Sequence, residues 1–229
     1  MRAYWLSSGK FVQICQAPHL SWRIIESLKD GPSIKNKRIQ ASNGQGAELD
    51  SITEELKTFL EREKIRDCIG RLARGEDRRD AKLISACYWA DSTSDYGVFL
   101  GTFDEYLAWV VPGSPAIPVT QHVLGQSVIE LNGDTALVET QVISYHRIVM
   151  GEEQRDTIIG GRYLDRIEKR GGEWRIAKRT MLYDWFQDFG VSIDWSKGVM
   201  GLPFSDGHYS GRAVGDYSEI FFGKRPSGQ

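Results

Sequence analysis

Between residues 52 and 72 apolar side chains return at roughly every third or fourth position: Leu56, Phe59, Leu60, Ile65, Cys68, Ile69 and Leu72. That spacing stacks them on one face and predicts an amphipathic helix packed along it. Ser51-Ile52-Thr53-Glu54 has capping-box spacing at its start, and Gly75 marks its end. A second helix is expected from about Arg79, with Leu83, Ile84 and Cys87 turned inward. A third covers TFDEYLAWVV, residues 102–111, and is stopped by Pro112-Gly113. From residue 117 the period drops to two. PVTQHVLGQSVIEL, Asn132-Gly133-Asp134 and TALVETQVISYHRIVM read as one long hairpin with Asn-Gly turn chemistry. RDTIIGGRYLDRIEKR, Gly171-Gly172 and EWRIAKRTMLYDW read as a second. Helices first and a four-stranded antiparallel meander after them is an α+β order.

The flanks lack such a period. Residues 1–50 hold the basic run IKNKR (34–38) and the loose stretch QASNGQGAE (40–48), and read as an N-terminal extension of weak structure. The patterned domain spans residues 51–187. The tail, 188–229, is rich in Gly, Ser and aromatics and is expected to cover the domain or a neighbouring subunit.

Alternation assigns the strand residues to faces. Val138, Thr140, Val142, Ser144, His146 and Ile148 share the more apolar face, and Glu139, Gln141, Tyr145 and Arg147 the other. On the next strand Tyr163 shares its face with Thr157, Ile159, Gly161 and Asp165. Gly160-Gly161 leaves space above the sheet or lets it bend strongly. A curved sheet with helices folded over it makes a cone with a pocket, and His122, His146, Tyr163 and Asp165 are candidates for its walls.

Composition narrows the function. Hydrophobic residues make up 41% and charged residues 26%, enough for a sizeable core and against disorder of the whole. A formal net charge of -2 argues against nucleic-acid binding, which calls for a basic excess. No apolar run approaches the roughly 20 residues of a membrane helix. The first residues have too short an apolar core for a secretory signal. Cys15, Cys68 and Cys87 are odd in number and form no CxxC pair, so neither a disulfide framework nor a zinc site is expected, and the default location is a reducing cytoplasm.

Two of the four histidines, His122 and His146, sit inside strand-like apolar runs. Taken alone, each is ordinarily a core residue bonded to backbone, Asp77 a solvated turn residue, and Tyr96 a core residue with a wet hydroxyl. Their order along the chain changes the weighing. Residues 56–186 resemble the SnoaL-like branch of the nuclear transport factor 2-like superfamily, in particular the scytalone dehydratases, through ARGEDRRDAKLI, SDYGVF, TQHVLG, YHRI and RYLDRIEKRGGEWRIA. Hexachlorocyclohexane dehydrochlorinases, which are relatives, use a similar Asp and His pair. The resemblance implies a cone-shaped α+β fold of NTF2-like (cystatin-like) type, with three N-terminal helices packed on a strongly curved antiparallel sheet enclosing a pocket. It implies Asp77, Tyr96, His122 and His146 as catalytic residues. Two positions depart from the pattern. Glu76 stands where the scytalone dehydratases have a water-holding tyrosine, and Gly161 and Tyr163 replace a small polar pair, so the pocket differs in shape and hydrogen bonding.

A neutral imidazole oriented by a carboxylate is the natural base for removing a proton from carbon at pH 7. Asp77 and His122 would form that dyad, while Tyr96 and His146 hold the leaving group or a carbonyl gaining charge. Tyr106, Trp109, Tyr163, Asp165 and Trp185 are the expected substrate-binding residues, for a flat and aromatic small molecule. No metal or organic cofactor is required, and the chain lacks a phosphate loop, a GxGxxG fingerprint and a nucleophile elbow. The first reading is a cofactor-independent lyase, a dehydratase or a formaldehyde-releasing enzyme acting on lignin-type diaryl compounds. An isomerase with the same dyad and a non-catalytic binding or adaptor protein are the alternatives. A homo-oligomer, trimer or dimer, is expected, with no nucleic-acid or membrane partner.

Overall fold

The computed structural model describes the backbone of residues 2–5, 11–15, 23–26, 43–205, 208–209 and 217–221, with side chains from residue 48 onward. The chain divides into two compact units, residues 1–55 and 56–229. In the first, β1 (Arg2–Trp5), β2 (Phe11–Cys15) and β3 (Arg23–Glu26) form an antiparallel three-stranded sheet in the order β1-β2-β3. Weak structure was the expectation here. Runs of four or five residues are too short for alternation to stand out from chance. The basic run 34–38 lies outside the described residues.

Helix α1 spans Asn43–Asp77, so it starts well before Ser51 and takes in part of the stretch read as loose. The capping box at Ser51-Glu54 therefore does not form. Both residues lie inside the helix, where the Thr53 hydroxyl donates back to the Leu49 carbonyl at 2.8 Å. Nor is the apolar stripe buried along its length: Leu56, Phe59 and Leu60 are exposed, and burial begins at Ile65 and continues through Cys68, Ile69 and Leu72. A capping box forms instead at Thr102-Glu105, where the hydroxyl and carboxylate satisfy each other's amides at the start of α3 (Phe103–Val110). Between these helices lies α2 (Ala81–Ser85), capped by Asp80, whose carboxylate accepts from the Leu83 amide at 3.1 Å.

The sheet of the second unit is larger than the expected meander. Its strands are β4 (Tyr88–Asp95), β5 (Leu100–Thr102), β6 (Val119–Asn132), β7 (Thr135–Met150), β8 (Glu153–Arg170) and β9 (Glu173–Val191), in the order β5-β4-β9-β8-β7-β6. β4 runs parallel to β9 and the remaining pairs are antiparallel, so the sheet is mixed. The sequence reading missed β4 and β5. YWADSTSD is polar in five of its eight positions, β5 is only three residues long, and the other partner, β9, lies more than eighty residues away. The β6–β7 turn is Gly133-Asp134, with Asn132 already paired to Thr135 and Gly133 at φ 59°. In the β8–β9 turn both Gly171 (φ 61°) and Gly172 (φ 89°) are left-handed, which only glycine adopts freely. A last helix, α4, spans Tyr217–Phe221, and the expectation that the tail covers a surface falls largely on residues outside those described.

The core lies between α1–α3 and one face of this sheet. Ile65, Leu72, Ile84, Ile167 and Ile176 are each fully buried. The inward set expected for β7 is buried at Val138, Thr140, Val142 and Ser144. Strand β9 departs from alternation because its register against β8 shifts three times. Ile167 faces Ile176, but Arg166 faces Lys178, so one residue is looped out and the inward parity flips. Arg179, Met181 and Tyr183 then follow the inward line, and the next shift, between Gly160 and Gly161, flips it again.

Candidate active site

Four elements bring polar groups to one cavity of about 350 Å³. The last turn of α1 supplies Glu76 and Asp77, β6 supplies His122, β7 supplies His146, and Tyr106 comes from α3. Tyr96 follows directly after β4. The register explains why the two histidines meet. His122 pairs with Ser144, so His146, two residues on, is its diagonal neighbour on the same face. Their rings meet edge to face with centroids 6.2 Å apart.

Asp77 stands behind His122. Its Oδ1 lies 2.7 Å from His122 Nδ1, and the His122 backbone N–H donates to the same carboxylate at 3.0 and 3.1 Å. Both the ring and its backbone are thus fixed by one side chain. Burial works against the charged imidazole, but the Asp77 hydrogen bond and the charges of Glu76 and Asp77 outweigh it and raise the His122 pKa above the usual 6.5. His146 behaves in the opposite way. Burial, reinforced by the neighbouring His122, pulls its pKa down to about 4. Its Nδ1 is buried with no hydrogen-bond partner among the described residues.

Glu76, noticed in the sequence only as a departure, is the buried carboxylate of the cavity at 4% exposure. The Tyr106 hydroxyl donates to its Oε1, and the Tyr96 hydroxyl lies 3.5 Å from the same oxygen and 3.3 Å from the Tyr106 hydroxyl. The Tyr96 and Tyr106 rings stack in parallel at 5.6 Å. Burial raises the pKa of both phenols well above 10, so they stay protonated and act as donors.

Most of the expected residues are gathered here. Tyr96, Tyr106, Trp109, His122, His146 and Tyr163 line the cavity, with Asp77 one layer behind His122. Two residues do not belong to its lining. Asp165 is buried beneath the wall in a two-pronged ion pair with Arg179, both contacts 2.8 Å, and Arg179 in turn lies 3.9 Å over the Tyr163 ring. Trp185 is half exposed, because the bulge beside it turns it to the outer face and points Phe186 to the cavity instead. The double glycine has a related purpose. A Cβ on Gly160 would strike the Trp185 ring, and one on Gly161 would strike the Leu182 carbonyl, so the space is filled by β9 rather than left open. Arg179 escaped the sequence reading for the same reason as Trp185: without the bulge near Ala177, Asp165 would face Lys178, and the opposed charges at 165 and 179 become visible only once the register is known. Among the described residues no group of three or more His, Cys, Asp or Glu is placed to hold a metal ion, and no helix is long and apolar enough to cross a membrane.

The fold is shared with known proteins. The sequence profile of the SnoaL-like domain matches residues 57–180. A hexachlorocyclohexane dehydrochlorinase (LinA) of type 2 superposes with a TM-score of 0.54 at 18% identity, over 68% of this chain and 99% of its own. LinA-type3 from Novosphingobium barchaimii gives 0.54 at 19%, over 66% and 98%. A Novosphingobium aromaticivorans protein provisionally named a scytalone dehydratase gives 0.51 at 19%, over 64% and 97%. At such identities the likeness is one of fold. No functionally curated protein matches the sequence. The chain belongs to the SnoaL-like family, within the NTF2-like superfamily.

Proposed function

We propose that this SnoaL-like protein is a cofactor-independent lyase that removes a proton from a small, largely apolar, aromatic substrate, either from carbon with departure of a neighbouring hydroxyl as water, or from a hydroxymethyl O–H, whose carbon leaves as formaldehyde while the C–C electron pair forms the new double bond and expels a neighbouring oxygen group. The observation that carries the reading is the 2.7 Å contact between Asp77 and His122 Nδ1, made at the wall of a cavity that also holds a second histidine. With Nδ1–H committed to Asp77, the neutral His122 presents the Nε2 lone pair to the cavity. It takes the substrate proton there, and Asp77 stabilises the imidazolium that forms. His146 stays neutral and serves as a hydrogen-bonding group. Tyr96, kept protonated by burial, is a donor for the developing charge on the leaving group. Trp109, Tyr163 and Phe186 give the cavity flat apolar surfaces, and its size falls within the usual range of small-molecule sites, about 300–1,000 Å³.

The test is to incubate the purified protein with neutral aryl alcohols and diaryl diols and to follow conjugated products, water loss and formaldehyde by absorbance and mass spectrometry. The wild type should form an elimination product and His122→Ala should not. Binding of these compounds without turnover, equal in both proteins, would instead make this a binding protein.

A further inference from the structure

His122 has a carboxylate at each ring nitrogen. Asp77 holds Nδ1 at 2.7 Å, and Glu76 Oε2 lies 3.8 Å from Nε2. Glu76 is anchored through its other oxygen, Oε1, by the Tyr106 hydroxyl, which leaves Oε2 for the imidazole. The two carboxylates are consecutive residues in the last turn of α1, at the negative end of the helix dipole. Arg179 of β9 approaches Glu76 at 3.8 Å, but it is already engaged by Asp165 of β8. His146 of β7 is held neutral, and the phenols of Tyr96 and of Tyr106 on α3 are held protonated. Arg79, just after α1, also lines the cavity, so formal charges are three negative against two positive while His122 is neutral, and a proton on His122 balances them.

We infer that Glu76 is a second carboxylate partner of the base, a positioning residue that holds at Nε2 the proton His122 has taken, so that Asp77, His122 and Glu76 act as one carboxylate–imidazole–carboxylate unit. This rests on the reading of His122 as the base. When the C–H bond breaks, its electron pair stays on the substrate and becomes the new π bond as the leaving group departs. The proton moves to Nε2, and the new N–H donates to Glu76 Oε2. The raised pKa of His122 agrees with this arrangement. One consequence follows for the substrate. Its C–H bond can be less acidic than an isolated imidazole would manage, because the proton has a stronger acceptor.

The test needs no substrate. Protein with ¹⁵N-labelled histidine is titrated by NMR as wild type, Glu76→Gln and Glu76→Asp. Nitrogen shifts report which ring nitrogen carries the proton and the pKa of each imidazole. The neutral wild-type His122 should be protonated on Nδ1. Its pKa should fall in Glu76→Gln by about one unit or more, the usual influence of a charge within ~4–6 Å. In Glu76→Asp, where the carboxylate is one methylene further away, it should fall by less. An unmoved pKa in Glu76→Gln, or in Glu76→Asp should the first variant not fold, overturns the role of Glu76 alone. A wild-type His122 protonated on Nε2 overturns the reading of His122 as the base as well.

Discussion

The two histidines of the cavity lie on neighbouring strands with rings 6.2 Å apart, yet they have opposite electrostatic environments. His122 lies against α1 and receives two carboxylates, while His146 has burial and another histidine for neighbours. The same imidazole is raised in one place and depressed to about 4 in the other. A pair of titratable groups driven apart in this way is how a protein assigns different tasks to one side-chain type. In the proposed reaction it separates a proton acceptor from a neutral hydrogen-bonding group.

Activity gives the largest effect by which to break the contrast. His122→Ala should lower kcat by roughly 10²–10⁴ on a substrate found by the screen, the usual worth of a general base. His146→Gln, which keeps a polar side chain, should cost about tenfold, the net worth of one hydrogen bond. Equal losses would mean that the two histidines are not divided as argued. Asp77→Asn should fold, lose most activity, and combine with His122→Ala to give a double variant little worse than the worse single one. Multiplying effects in that cycle would separate Asp77 from His122.

Stability against pH sharpens the contrast, with opposite signs for the two residues. The depressed pKa of His146 contributes stability that is full above the unfolded value of 6.5 and is lost as pH falls toward about 4. Between pH 7 and pH 5, urea denaturation should show the wild type losing on the order of 2 kcal/mol more than His146→Gln. The raised pKa of His122 contributes stability that is full below 6.5 and is lost as pH rises through the folded value. The smallest effect is on the rate profile. The acid limb of kcat/KM should lie above pH 6.5, where His122 loses its proton, and His146→Gln should move it little. A limb near pH 4 would give the base role to His146.

How far the site could be read from the chain depends on which strand carries it. β7 keeps an unbroken register with β8 along its whole length, and simple alternation placed Val138, Thr140, Ser144 and His146 on the inner face. β9 changes parity at each bulge, so alternation could not place Arg179 inward or Trp185 outward. Periodicity found the helices but not their useful limits. α1 begins at Asn43, and its apolar spacing persists through Leu56, Phe59 and Leu60, which are exposed. Asp77 and His122 were legible only through family motifs, since 45 residues separate them and no local spacing rule connects a helix end to an edge of a sheet. Glu76 was visible as a residue out of pattern, but its bonds to Tyr106 and Tyr96 belong to the tertiary structure.

Asp77 also carries a burden unrelated to chemistry. β6 ends the strand order, so one of its sides meets no further strand among the described residues, and an open side of this kind invites another chain to add itself. The backbone N–H of His122 would be one of the donors on offer, but Asp77 has already taken it. A single carboxylate thus orients an imidazole and blunts an aggregation-prone edge. Selection for solubility can then preserve the aspartate after catalysis has gone. In a relative whose histidine has been replaced, a surviving aspartate at this place would testify to the edge and not to an enzyme.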